Sequence, residues 1–223
     1  AYLMNTLENK LNDKMPELSV VIPMYNEADT VIKLIERLEK SLEGISYEVI
    51  FINDSSTDDT LKRLQQNINN TRLRVISLSR NRGQTVALSC GFEHSNGRYI
   101  AMMDGDLQNF PEDLSVLLNE IKLTRSDLIS GRRMNRQDSR LRKLPSWFAN
   151  WLIRKVTGCK VKDMGGINIM KGEYASKLHL RNGYHRLIPA LIYSSGGKTR
   201  EVEVRHAPRL SGVSKYKTIS RMI

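Results

Sequence analysis

Cysteine is nearly absent from this 223-residue chain: only Cys90 and Cys159 occur. Two thiols are too few for a secreted disulfide scaffold or a cysteine-rich zinc module, so a reducing compartment is expected. Aromatic residues make up only 6%. No apolar run reaches the roughly 18 residues that suggest a membrane span. The N-terminal AYLMNTLENKLNDKMPE lacks the continuous apolar stretch of a signal peptide, and residues 1–16 are read as an extension outside the fold. Internal repeats and low-complexity segments are also missing. Acidic residues are in deficit: 35 Lys and Arg against 24 Asp and Glu leave a net charge of +11. That balance calls for an acidic partner, whether nucleic acid, an anionic membrane surface or a phosphorylated small molecule. With 40% apolar and 26% charged residues the composition is otherwise that of a globular domain.

What is present is an alternation of short β-rich runs with helical patterns, the signature of an α/β fold built on a largely parallel sheet. Strands are expected at Leu18 to Pro23, Tyr47 to Asn53, Leu73 to Leu78, Tyr99 to Met103, Asp127 to Gly131, Gly166 to Met170 and Glu201 to His206. Helices are expected over Glu27 to Glu43, Asp58 to Gln66, after the loop Ser79 to Gly83 to about His94, from Pro111 as first helical residue through Lys122, and from Pro145. In such sheets ligands bind beyond the carboxyl ends of the strands. Three strand ends here carry polar clusters: Pro23 to Glu27, Asn53 to Ser56 and Asp104 to Gln108. Each alone is as consistent with a capped turn as with a site. Together they point to chemistry. Asp104 and Asp106 flank Gly105, which permits close backbone approach. With Gln108 they offer hard oxygen ligands suited to Mg2+ or Mn2+. The segment Arg132 to Lys143 holds six Arg or Lys against one Asp, either a solvated loop or a phosphate-binding one.

These residues carry a resemblance. The motifs VVIPMYNE (Val20 to Glu27), NDSSTDDT (Asn53 to Thr60), NRGQTVAL (Asn81 to Leu88), DGDLQNFP (Asp104 to Pro111) and RLSGVSKY (Arg209 to Tyr216) occur in the order found in glycosyltransferase family 2. The chain resembles the polyprenyl-phosphate branch of that family, and RQDSRLRK (Arg136 to Lys143) looks closest to bacterial undecaprenyl-phosphate aminoarabinose transferases and glucosyltransferases, with dolichol-phosphate mannose synthase more distant. The resemblance implies the GT-A fold, a Rossmann-like, mostly parallel sheet flanked by helices. Its domain would span 17–210, with a nucleotide-sugar half at 17–108 and an acceptor half at 109–210. Residues 211–223 would then begin an amphipathic juxtamembrane segment that transmembrane helices, absent here, follow in such enzymes. Self-assembly would run through those helices.

The implied reaction is an inverting, metal-dependent transfer of a sugar from a UDP-sugar to a polyprenyl phosphate, at the cytoplasmic face of a bacterial inner membrane. Position by position, Pro23, Tyr25, Glu27 and Asp54 would line the nucleotide site, and Ser214 and Lys215 would close on the diphosphate. Asp104, Asp106 and Gln108 would hold Mg2+ or Mn2+, with Asp106 counted as catalytic. Arg133, Arg142, Ser146 and Arg209 would bind the acceptor phosphate, Arg132 being the alternative to Arg133. Asp163 would be a base, an orienting group or a plain turn residue. The family usually carries two acids at the second strand end, whereas this chain has Asn53, which can hydrogen-bond but bears no charge.

Other residues keep structural readings. His94, His179, His185 and His206 lack ligand spacing. Cys90 is expected to be buried, and Met102 and Met103 to pack within a strand. Trp147, Phe148, Trp151 and Leu152 form a core patch or a headgroup-facing one. Two competing functions remain. A soluble family 2 transferase acting on a glycan would not need Arg133, Arg142, Ser146 and Arg209. A nucleic-acid-binding protein is disfavoured by the sparse aromatics and the carboxylate cluster, so no nucleic-acid partner is expected.

Overall fold

The computed structural model describes residues 15–68, 71–134, 155, 157–164, 166–178, 180–181 and 183–207. Seven strands form one sheet: β1 Leu18–Met24, β2 Tyr47–Asn53, β3 Leu73–Ser77, β4 Tyr99–Met102, β5 Leu128–Arg133, β6 Asn168–Lys171 and β7 Thr199–Val204, in the order β3-β2-β1-β4-β6-β5-β7. All seven β1 residues are buried, as expected of a central parallel strand covered on both faces. Alternate side chains serve opposite layers. Leu18, Val20, Ile22 and Met24 pack with α1 (Val31–Ser41) and α4 (Asp113–Thr124). Val21 packs with Ile50, Leu88, Phe92 and Ile188, on the side of α3 (Gln84–Glu93) and α6 (Ile188–Ser194). The helices α2 (Thr60–Asn67) and α5 (Gly172–Ala175), with a 3-10 turn at Tyr184–Leu187, complete the described elements.

The expected α/β class is present, with boundaries that local bonding explains. The helix expected from Glu27 begins at Val31: the Thr30 N–H closes a tight turn onto the Glu27 carbonyl at 3.0 Å, and α-helical bonding starts with the Leu34 N–H donating to the Thr30 carbonyl at 2.8 Å. Pro111 precedes α4 by two residues, in a turn where the Leu114 N–H donates to the Pro111 carbonyl at 3.0 Å. Helix α4 ends where Arg125 adopts φ +50°. The sheet is mostly parallel, as expected, and the exception is β6, which runs antiparallel to both β4 and β5. Its first residue, Asn168, lies opposite Met102 and Ser130. The strand therefore starts at the edge where its neighbours end.

That edge contains a topological switch. From β1 the chain proceeds to β2 and β3 on one side, then crosses to β4 on the other. A crevice opens between loops that diverge in this way.

Candidate active site

The crevice is built by loops that hydrogen-bond to one another. After β1, Asn26 takes φ +54°, its amide N–H donates to Ser56 Oγ at 3.0 Å, and its Oδ1 accepts from the Thr57 amide at 2.7 Å. Pro23 lies within β1, buried, opposite Ile52, while Tyr25 and Glu27 are half-buried at the rim. After β2, the Asn53 side chain is engaged at both ends: Oδ1 accepts from the Ser56 amide at 3.2 Å and Nδ2 donates to Ser77 Oγ at 2.7 Å. Asp54 is fully buried, with Oδ1 accepting from the Arg82 amide at 2.7 Å and Oδ2 from the Gly83 amide at 2.8 Å. Its visible work is to shape the NRGQ turn, where Gly83 sits at φ +83°, a conformation open to glycine at little cost.

The carboxylate pair beyond β4 is held from three sides. Gln84 Nε2 donates to Asp104 Oδ1 at 2.6 Å. Thr30 Oγ1 donates to the Gly105 carbonyl at 2.7 Å. The Gln108 amide donates to Asp106 Oδ1 at 3.1 Å. Gly105 packs so closely on Met24 that an added Cβ would lie 2.1 Å from its sulfur, which accounts for a glycine between the two acids. Leu107 adopts φ +59°, so three of the four non-glycine residues with positive φ among the described residues, Asn26, Ser55 and Leu107, lie on these loops. Strained backbone of this kind collects at functional sites. The chain leaving β7 crosses the same loop: His206 bridges to Asn109, and the Ala207 amide donates to the Gln108 carbonyl at 2.9 Å.

The donor set fits a hard divalent ion. Asp104 and Asp106 supply carboxylate oxygens, Gln108 an amide oxygen, and the neighbouring Asn109 Oδ1 is buried without a hydrogen-bond partner. Among the described residues no group of three or more His, Cys, Asp or Glu could hold a metal alone. Two carboxylates suit an ion shared with substrate phosphates, as is usual for Mg2+.

On the other side of β6, Arg133 and Asp163 form a near-buried fork. Arg133 Nε and Nη2 reach the two carboxylate oxygens at 2.8 Å each, and the Arg133 amide adds a bond to Oδ2 at 3.2 Å. Ser130 Oγ donates to the Asp163 carbonyl at 2.9 Å, and the Asp163 amide donates to Glu201 at 2.8 Å. Arg132 points the other way and pairs with Glu203, as neighbouring strand residues must. The structure thus brings Tyr25, Glu27, Asp54, Asp104, Asp106, Gln108, Arg133 and Asp163 to one sheet edge. Arg142, Ser146, Arg209, Ser214 and Lys215 lie outside the described residues, as do His179 and the Trp147 to Leu152 patch.

Two contributors were not assigned from sequence. Gln84, which orients Asp104, could have been noticed as a polar residue opening a helix directly after a glycine. Thr85 accepts from the Gly183 amide at 2.9 Å and bonds His185 Nδ1 at 2.8 Å. Nothing local signals that contact. His185 is buried in this structural role. Cys90 is half-buried rather than buried; burial, then Glu93, pushes its thiol up.

Comparison with known proteins agrees with this geometry. Residues 19–176 match the family described as Glycosyl transferase family 2. The chain is 40% identical over 208 residues to the dodecaprenyl-phosphate galacturonate synthase of Rhizobium johnstonii, covering 90% of this chain and 62% of that protein. It is 36% identical over 215 residues to the undecaprenyl-phosphate 4-deoxy-4-formamido-L-arabinose transferase of Proteus mirabilis, covering 92% and 64%. The chain therefore spans less than two thirds of these relatives. Among solved structures, glucosyl-3-phosphoglycerate synthase from Mycobacterium tuberculosis, in complex with Mn2+, UDP and glucosyl-3-phosphoglycerate, superposes with a TM-score of 0.71 at 21% identity, covering 89% of this chain and 73% of that one. The fold is thus of the GT-A type. A sheet edge of this construction, in a sequence matched along most of its length, makes the chain a member of glycosyl transferase family 2.

Proposed function

We propose that the protein transfers a sugar, with inversion, from a UDP-sugar to a polyprenyl phosphate. The observation that carries this reading is the placement of the Asp104–Asp106 pair and the Arg133–Asp163 fork on strands separated only by β6. Two strand spacings are about 10 Å, which leaves room for a donor diphosphate beside an acceptor phosphate. The relatives named for polyprenyl-phosphate products support the acceptor class. The mycobacterial structure supports UDP and a divalent ion.

In this reading residues 17–108 bind the donor, residues 109–210 the acceptor, and residues 211–223 lead towards the membrane. Tyr25, Glu27 and the loop shaped by Asp54 receive the nucleotide. Asp104, Asp106 and Gln108 would hold Mg2+ or Mn2+, which when bound supplies Lewis-acid stabilisation of the departing diphosphate. Arg133 presents its guanidinium to the acceptor phosphate, and Asp163 fixes its orientation. A phosphate monoester has a second pKa near ~6 and is mostly dianionic at neutral pH. Its oxygen attacks the anomeric carbon directly as the bond to UDP breaks, so no protein base has to remove a proton. Catalysis then rests on positioning and electrostatic stabilisation. Among the described residues no helix is long and apolar enough to cross a membrane; the reading places the domain at the cytoplasmic face of one.

The test is a screen of UDP-sugars with a short-chain polyprenyl phosphate and Mn2+ or Mg2+, following UDP release and glycolipid mass. Glycolipid formation is expected. UDP release without a lipid product overturns the acceptor assignment and favours a soluble glycan acceptor.

A further inference from the structure

The net positive charge is unevenly distributed along the chain. From Thr60 to Phe92 there is no acidic residue against six Lys or Arg, and from Tyr174 to Arg200 none against five. The fold joins these stretches where the N-terminus of α3 meets the 3-10 turn, through the Thr85 bonds to Gly183 and His185. Arg80, Arg82, Arg181 and Arg186 are exposed around this junction. Elsewhere Arg37, Arg63, Arg74, Arg132, Arg133 and Arg205 have carboxylate partners, while Arg98 and Arg125, exposed before β4 and β5, lie at the opposite sheet edge. Among the described residues these four have none. Val86 and Tyr184, each 40% exposed, stand among them.

The geometry points to this junction as a docking surface for an anionic lipid leaflet. Unpaired arginines gain from a negative surface, about 1 kcal/mol each, which is roughly five-fold in partitioning. An aliphatic and a tyrosyl side chain between them suit the headgroup layer, where an apolar body and a polar tip are both accommodated. A nucleic-acid backbone would use the charge but leave Val86 without a role. The surface also adjoins the site, because Gln84 opens α3 and holds Asp104. A leaflet seated here lies beside the crevice in which a lipid phosphate would react. That last point rests on the proposed function; the docking itself does not.

The experiment is co-sedimentation of the full chain with phosphatidylcholine vesicles, with and without phosphatidylglycerol, alongside the transfer assay. Binding is expected only to the anionic vesicles and should weaken with salt. R80Q/R181Q/R186Q should reduce partitioning by about five-fold per arginine. R80K/R181K/R186K should retain it, and V86S/Y184S should lower it at high salt, where insertion matters more than charge. Equal binding to neutral and anionic vesicles overturns the inference, as does undiminished binding by the glutamine variant. Arginine-dependent binding to duplex DNA without vesicle binding overturns it as well. If anionic vesicles are bound through these arginines while no polyprenyl phosphate is glycosylated, the docking surface stands and the transferase reading fails.

Discussion

Asp163 shares both carboxylate oxygens with one guanidinium, and this constrains what it can do. A carboxylate so engaged is an effective brace for the guanidinium. Asp163→Asn should therefore raise KM for the acceptor by roughly 10- to 100-fold, the worth of a charge-assisted hydrogen bond. The acid limb of the pH–rate profile should stay near the acceptor phosphate's own ~6. Steady-state kinetics across pH check this: loss of kcat with unchanged KM would return Asp163 to the role of base. Asp106→Ala, measured in the same assay, should lower transfer by about 100-fold or more, with an unaltered far-UV CD spectrum. Asp54 gives a third expectation. Converting its buried carboxylate to Asn leaves one of the Arg82 and Gly83 amides without an acceptor, costing about 1–3 kcal/mol in urea unfolding. The motif around Asp106 already offers it to a metal, but the bonds of Asp54 to the Arg82 and Gly83 amides and the pairing of Asp163 with Arg133 are not legible in the motifs themselves. The same Asp that a motif offers to a ligand can be used, as Asp54 is, to shape the neighbouring loop. The Asp163–Arg133 pair joins positions 30 residues apart, which only the tertiary fold brings together.

At the level of elements, the parallel strands were readable because burial on both faces demands continuous apolar runs such as Leu18 to Met24. The direction of β6 was not, since four residues, Asn-Ile-Met-Lys, pack equally well either way. The packing of α3 on the sheet depends on Gly91, where an added Cβ would lie 2.2 Å from Val21 Cγ1. Gly91→Ala should cost about 1–3 kcal/mol through overpacking, seen as a lower urea midpoint with an unchanged m-value. The effect should reach the site as a weaker hold of Gln84 on Asp104, because Gln84 opens the same helix.

For the molecule as a whole, two depressed carboxyl groups give stability a predictable pH dependence. The Arg37 hydrogen bond outweighs burial and holds Glu112 below its usual range. Burial raises Asp127, but bonds from Lys171 and the Lys198 amide more than compensate, and its pKa is lowered. A lowered folded-state pKa means stability that is fully present above the unfolded value and lost as pH falls through the folded one. Urea unfolding should therefore show stability declining from about pH 4.5 downward. Asp127→Asn should flatten that decline more than Glu112→Gln, because Glu112 is the more exposed and the more screened.

The antiparallel course of β6 has one more consequence. The chain leaves the sheet after β5 and returns before β6 at the same edge, and the fork between Arg133 and Asp163 ties the two ends together. Insertions between those two ends cost little closure entropy, about 0.6 kcal/mol for each doubling of length, and leave β1 to β4 undisturbed. Such a layout lets descent with modification exchange that segment as a cassette while the inherited platform of β1 to β4 is kept.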